Sequence, residues 1–157
     1  MLVKDIVYED FLQYKKPSMF IICPHCNFKC DIENGTQLCQ NWPLAKQPNI
    51  KVDNERIISN YIQNPITKSI VFGGLEPLDS FQELYELINM LRKQTNDDIV
   101  IYTGYNEDEI VEKCRLLAEF ENIVIKFGRY RPNEELHYDE VLGVSLASSN
   151  QYAKQIS

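Results

Sequence analysis

Four cysteines, Cys23, Cys26, Cys30 and Cys39, crowd into the stretch CPHCNFKCDIENGTQLC with spacings C-x2-C, C-x3-C and C-x8-C, while the fifth, Cys114, stands far away. Thiolate sulfur is a soft donor, so a short loop bearing several cysteines can wrap one metal centre. The N-terminus MLVKDIVYED has neither a long apolar run nor a small-residue cleavage site. In a chain without a secretory signal, crowded cysteines point to metal or redox chemistry before disulfides. Three chemistries are open on spacing alone. An iron-sulfur cluster suits a loop of several cysteines. Tetrahedral zinc commonly takes C-x2-C pairs, but usually two well-separated pairs, and here three cysteines lie between positions 23 and 30. A redox C-x2-C pair of Cys23 and Cys26 leaves Cys30 and Cys39 unexplained.

Other segments could serve the same centre. In Gly73-Gly74-Leu75-Glu76-Pro77 the glycines would let backbone approach a ligand, and the carboxylate could accept bonds from an ammonium. The same pentapeptide also reads as an ordinary strand-to-helix turn with Pro77 near a helix start. Thr103-Gly104 offers backbone and hydroxyl contacts, or a plain turn. Arg129 and Arg131 could pair with a carboxylate or a partner, although two loop arginines are more often solvated. Cys114 falls on an apolar helical stripe and reads as core. His25 and His137 have no visible partner and receive no role.

These residues must be held by the elements around them. Four short apolar runs, Met19 to Ile22, Ser69 to Phe72, Ile99 to Tyr102 and Ile123 to Phe127, read as buried strands. Between the second and third, Ser80 and Glu83 predict a capped helix whose stripe is Phe81, Leu84, Leu87, Ile88 and Leu91. Asn106 and Glu109 predict another, with Ile110, Val111, Cys114, Leu117 and Phe120 on one side, and Ile57, Ile58, Tyr61 and Ile62 mark a third before Asn64-Pro65. The alternation βαβαβαβ predicts one α/β domain over residues 1–157, a parallel sheet covered by helices, either open or closed into a partial barrel. Residues Asp31 to Pro48 read as a long irregular loop, of the kind that usually carries function. Each unusual segment follows a strand, so all four should meet at the carboxyl edge of the sheet, where α/β folds bind ligands.

Composition narrows the partners. The chain is 44% hydrophobic and 25% charged, as in folded domains, and its formal net charge is -7. Such a balance argues against nucleic acid and anionic membrane surfaces as partners. No segment approaches the roughly 20 apolar residues of a membrane span, and a cytoplasmic protein is expected.

Over nearly its whole length the chain resembles the activating proteins of anaerobic ribonucleotide reductases, a small branch of the radical S-adenosylmethionine (SAM) superfamily. The resemblance rests on Cys26-Asn27-Phe28-Lys29-Cys30, Cys39-Gln40-Asn41, VFGGLEPLD, IVIYTGY, IKFGRY and LASSNQ, in that order. It implies a small partial (βα) barrel in which Cys26, Cys30 and Cys39 bind three irons of a 4Fe-4S cluster and SAM chelates the fourth. It also implies SAM contacts from Gly73, Gly74, Glu76, Thr103 and Gly104. The activity implied is generation of a glycyl radical on a class III ribonucleotide reductase, with an electron donor such as a flavodoxin. Ser148 to Gln151 would face that partner. The chain departs from the family pattern in its eight-residue gap before Cys39, where two are usual, in Leu38, where an aromatic often stands, and in Leu75, where a glycine does. Reading C-x2-C-x3-C would put Cys23 in place of Cys39. A radical SAM enzyme for a small molecule, such as a deazapurine-forming enzyme, and a non-enzymatic zinc or redox module are the rival functions.

Overall fold

The four apolar runs form the middle of one sheet because strands buried on both faces need apolar side chains at successive positions. The computed structural model describes residues 1–157. Its strands are β1 (Leu2–Val3), β2 (Asp5–Asp10), β3 (Ser18–Ile22), β4 (Ile50–Lys51), β5 (Ser69–Gly73), β6 (Asp98–Tyr102), β7 (Ile123–Phe127), β8 (His137–Asp139), β9 (Val144–Leu146) and β10 (Tyr152–Gln155). The helices are α1 (Lys29–Asn34), α2 (Trp42–Ala45), α3 (Asn54–Gln63), α4 (Phe81–Leu91) and α5 (Val111–Leu117). No helix is long and apolar enough to cross a membrane.

The main sheet runs β10-β7-β6-β5-β3-β2. β3, β5, β6 and β7 are parallel, as expected, but β2 and β10 join antiparallel at its two edges, so the sheet is mixed. Polar composition hid these strands: DIVYED and YAKQ have no apolar run, and edge strands tolerate charge because one side of their ladder faces water.

Register divides the side chains between two faces. Met19, Ile21, Ile70, Phe72, Ile99, Ile101, Ile123 and Ile125 pack with Ile57 of α3, Leu84, Leu87, Ile88 and Leu91 of α4, and Leu117 of α5. Val71, Val100 and Val124 face the other way, against Tyr14, Leu142 and Leu146. All three of these helices therefore lie on one face. The opposite face is covered by the segment around Tyr14 and by the region of the β8–β9 hairpin.

Two helix starts differ in detail from their sequence signals. The Asn106–Glu109 capping box forms, closing a 3-10 turn before α5. The hydroxyl of Ser80 makes no capping bond; Glu76 caps instead, accepting the Leu78 N–H at 3.0 Å at the head of a 3-10 turn over Pro77–Ser80. Burial of Glu76 makes it the better cap, since its carboxylate has no water to satisfy it. The stretch expected to be irregular, residues 31–48, contains most of α1 and all of α2.

Candidate functional site

Cys26, Cys30 and Cys39 line one cavity of about 430 Å³ at the carboxyl end of the parallel strands. Its wall also includes Phe20, Ile22, Tyr102 and Lys126, which belong to the face that α3, α4 and α5 leave uncovered. The site thus sits over that face as well as at the strand ends. Cys23 is elsewhere: it is fully buried in the helix-side core, its thiol directed at the Ile21 carbonyl 3.9 Å away. Burial pushes the Cys23 thiol far up, which suits an inert core cysteine. The three cavity thiols are not drawn together into a metal-ligating cluster.

The eight residues between Cys30 and Cys39 form a closed loop with a carboxylate at its centre. α1 begins after Phe28, whose φ is +53°, and ends at Gly35, whose φ of +69° turns the chain back at little cost for a residue without Cβ. Asp31 then accepts the Leu38 N–H at 2.9 Å, the Cys39 N–H at 2.8 Å and the Trp42 indole N–H at 2.5 Å. Desolvation opposes the charge of Asp31, but these three donors outweigh it and hold its carboxyl below the usual range. Trp42 stacks on Phe28 with ring centroids 3.9 Å apart, closing the loop on its apolar side.

Further ties fix this loop to the sheet. The Asn41 amide donates to the Gly74 carbonyl at 2.6 Å, and buried Lys4 donates to the carbonyls of Ala45 and Gln47 at the end of α2. Ahead of α1, the Asn27 N–H donates to Asp79 and its amide to the Tyr105 hydroxyl. Burial pushes the Cys26 thiol up to about 12, against the Phe28 N–H that points at its sulfur, and burial likewise raises Cys39. Both carry protons near neutral pH, and a metal would have to displace them.

Below the cysteines, Glu76 joins three segments. Its carboxylate, only 7% exposed, accepts from Leu78 N–H, from the Thr103 hydroxyl at 2.8 Å and from the Gly104 N–H at 2.8 Å, while its own N–H donates to the His25 carbonyl. Desolvation raises its pKa and these donors resist the rise. The donors that Thr103 and Gly104 could offer a ligand are therefore given to Glu76. Of the five residues expected to meet SAM, Gly74, Glu76, Thr103 and Gly104 line the cavity and Gly73 does not. A Cβ on Gly73 would press Phe20 at 3.1 Å and Tyr102 at 3.3 Å, so its bareness serves packing. Gly74 has φ +78°, and a Cβ there would lie 2.6 Å from Ile22.

Three features escaped the sequence reading. Lys126, a lysine inside the apolar run IVIKF, is buried at the cavity wall and donates to the Gly128 carbonyl at 2.8 Å; burial lowers its pKa to about 8. Its place in that run was the available signal. Arg129 is not solvated: it is 4% exposed and bonds Glu109 at 2.6 Å. That bond, more than any competing desolvation, holds the Glu109 carboxyl down at about 2. Finally, Ser148 and Gln151 turn inward, where Gln151 receives the Ala147 and Ser148 N–H groups and lines the cavity, and Asn150 donates to the Arg129 carbonyl. Only Ser149 of this segment is exposed.

The donor set suits an iron-sulfur cluster: three thiols and a buried amine line one cavity. A family model described as a 4Fe-4S single cluster domain matches residues 18–152. No curated protein matches the chain, and no solved structure does.

Replacing Asp31 by Ala should raise hydrogen exchange at the Leu38 and Cys39 amides by about tenfold or more, since each loses a bond to a charged acceptor. Unchanged protection by mass spectrometry would show that the loop holds without its carboxylate. A second expectation concerns acid. Because the folded pKa of Glu109 is depressed, its ion pair contributes fully above the unfolded value of about 4.3 and is lost as pH falls towards 2. Over that window Glu109→Gln should flatten the decline of melting temperature with pH, and a parallel decline in both proteins would refute the assignment.

Proposed function

The chain belongs to the 4Fe-4S single cluster domain family, and from that premise we propose that it is a cytoplasmic radical SAM activase that makes a glycyl radical on an anaerobic ribonucleotide reductase. The observation that carries the reading is the shared cavity of Cys26, Cys30 and Cys39, with Cys23 turned into the core. That division agrees with the ligand set implied by the family resemblance.

In this reading Cys26, Cys30 and Cys39 would hold a 4Fe-4S cluster, with SAM bound beside it in the same cavity. The chemistry supplied there when the group is bound would be one-electron reductive cleavage of SAM, the electron coming from an external donor such as a flavodoxin, for hydrogen removal from a glycine of the partner. The chain's own residues bind, orient and shield. Lys126, protonated for the most part at neutral pH, faces the cavity as a partner for the SAM carboxylate. Gly74 lines the cavity with Cys39 and Asn41, and because Ile22 closes its Cβ position it offers a ligand backbone alone. Glu76 holds Thr103 and Gly104 in place and retains unused acceptor capacity towards the SAM ammonium. Phe20, Ile22, Leu44 and Tyr102 make an apolar floor that keeps water from the radical. The face that α3, α4 and α5 leave uncovered would then be the inside of a small partial (βα) barrel, and the partner's glycine loop would enter over it.

Anaerobic reconstitution of wild type and of the four single Cys→Ala variants tests the ligand set. Wild type and Cys23→Ala should take up about four irons per chain, whereas Cys26→Ala, Cys30→Ala and Cys39→Ala should not keep an intact cluster. Iron retention by Cys39→Ala with loss in Cys23→Ala would reverse the choice. Wild type mixed with SAM, dithionite and a class III reductase should then produce a glycyl radical signal by electron paramagnetic resonance; SAM cleavage without that signal would favour a small-molecule substrate.

A further inference from the structure

Arg129 leaves β7 through a turn with little freedom. Gly128 has φ +97°, and a Cβ on it would lie 2.6 Å from the Asn150 carbonyl oxygen, so the chain leaves β7 against Asn150 and the arginine goes inward. Its guanidinium is then sealed from water with its bonds only half made. Nη2 donates to Glu109 at 2.6 Å, and Nε lies 3.3 Å from Glu33 without hydrogen-bond alignment. Nε and Nη1 are both buried and neither has a hydrogen-bond partner. Unmade donors on a buried cation are costly, and so few persist that each one calls for an explanation.

The surroundings supply one. Arg129 lines a small recess with Cys26, Cys30, Lys29, Glu76 and Gly104. The recess, about 20 Å³, has room for one water-sized group, the size of a sulfur atom rather than of a substrate. A Cβ on Gly104 would sit 3.8 Å from the Cys30 sulfur and 3.9 Å from Arg129 Cγ, so the missing side chain leaves the arginine and the thiol facing one another across a bare backbone. The remaining charges nearby are Lys29 and Lys126 on one side and Glu33, Glu76 and Glu109 on the other. With Asp79 near Cys26 and Glu76, the carboxylates outnumber these two lysines. Arg129 is the cation among them with buried nitrogen atoms that have no hydrogen-bond partner at all.

We propose that Arg129 sets the electron affinity of the cluster held by Cys26, Cys30 and Cys39, donating its unpaired N–H groups to a cysteine or inorganic sulfur and favouring the reduced state. The inference rests on the cluster assignment made above. Reduction adds one electron, supplied by dithionite in the test below, to a centre already made negative by thiolates. A guanidinium in a low-dielectric wall lowers the energy of that added charge, and hydrogen bonds to sulfur act in the same direction. Glu109 and Glu33 hold the guanidinium in position and moderate it.

The test is a redox titration of reconstituted, SAM-free protein, followed by electron paramagnetic resonance, with iron content matched between samples. In Arg129→Met the ratio of reduced to oxidised cluster at a fixed potential should fall about tenfold, equivalent to about 59 mV for one electron. Arg129→Lys, which keeps charge but loses the planar fork, should fall by less. Glu109→Gln should move the ratio the opposite way, because it removes a counter-charge, and a purely structural role would not produce opposite signs. If Arg129→Met does not fold, Arg129→Lys and Glu109→Gln decide the matter by the same signs. An intact cluster whose potential is unmoved by these changes, or moved in one direction by all of them, overturns the proposal for Arg129 alone. Failure of wild type to take up iron would overturn the cluster assignment itself.

Discussion

The buried carboxylate of Glu76 is the junction on which the site is assembled. It follows β5, caps the turn into α4, receives the hydroxyl and N–H of the turn after β6, and through its own N–H holds the segment just before Cys26. A carboxylate removed from water is tolerated only with several such donors. The dependence is mutual: without the carboxylate the buried Thr103 hydroxyl would lose the acceptor for its proton, at about 1–3 kcal/mol, and the Gly104 N–H would lose its partner. Three chain segments that are distant in sequence therefore have one arrangement available in which all these groups are paired.

Asp31 plays a corresponding part at the outer wall, under different physical conditions. Desolvation is the largest single influence on it, but its three donors together outweigh that and keep it charged. The consequence is that an insertion which would otherwise cost order becomes a compact loop. Its end, Cys39, returns to the cavity that Cys26 and Cys30 already line. The unusual spacing before the last cysteine and the carboxylate one residue after Cys30 are thus two aspects of one device.

The distribution of helices explains why there is a cavity at all. α3, α4 and α5 pack on one face of the sheet, and the strand residues of that face are uniformly apolar. On the other face the covering segments reach only part of the sheet, and the side chains nearest the strand ends include Tyr102 and Lys126. A lysine in that row would be expensive in a closed core. Its ammonium instead has the Gly128 carbonyl and the cavity.

The sequence by itself determined the four parallel strands, the three amphipathic helices and the cysteine cluster, because each is written in local pattern: apolar runs, helical periodicity and short spacing. It also determined that the cysteines follow a strand, and hence at which end of the sheet they lie. The tertiary structure decided what depends on contacts between distant segments. It showed that β2 and β10 close the sheet antiparallel, since polar edge strands are specified by their neighbour's free backbone groups and not by their own side chains. It separated Cys23 from Cys26, because strand alternation and packing, not spacing, decide which thiol enters the core. It buried Arg129 and the Ser148 to Gln151 segment, which as sequence read like solvated loop and frayed terminus, by bringing Glu109, Glu33 and the turn at Gly128 against them. Polar residues carry no local mark of burial when their partners are supplied from elsewhere in the chain.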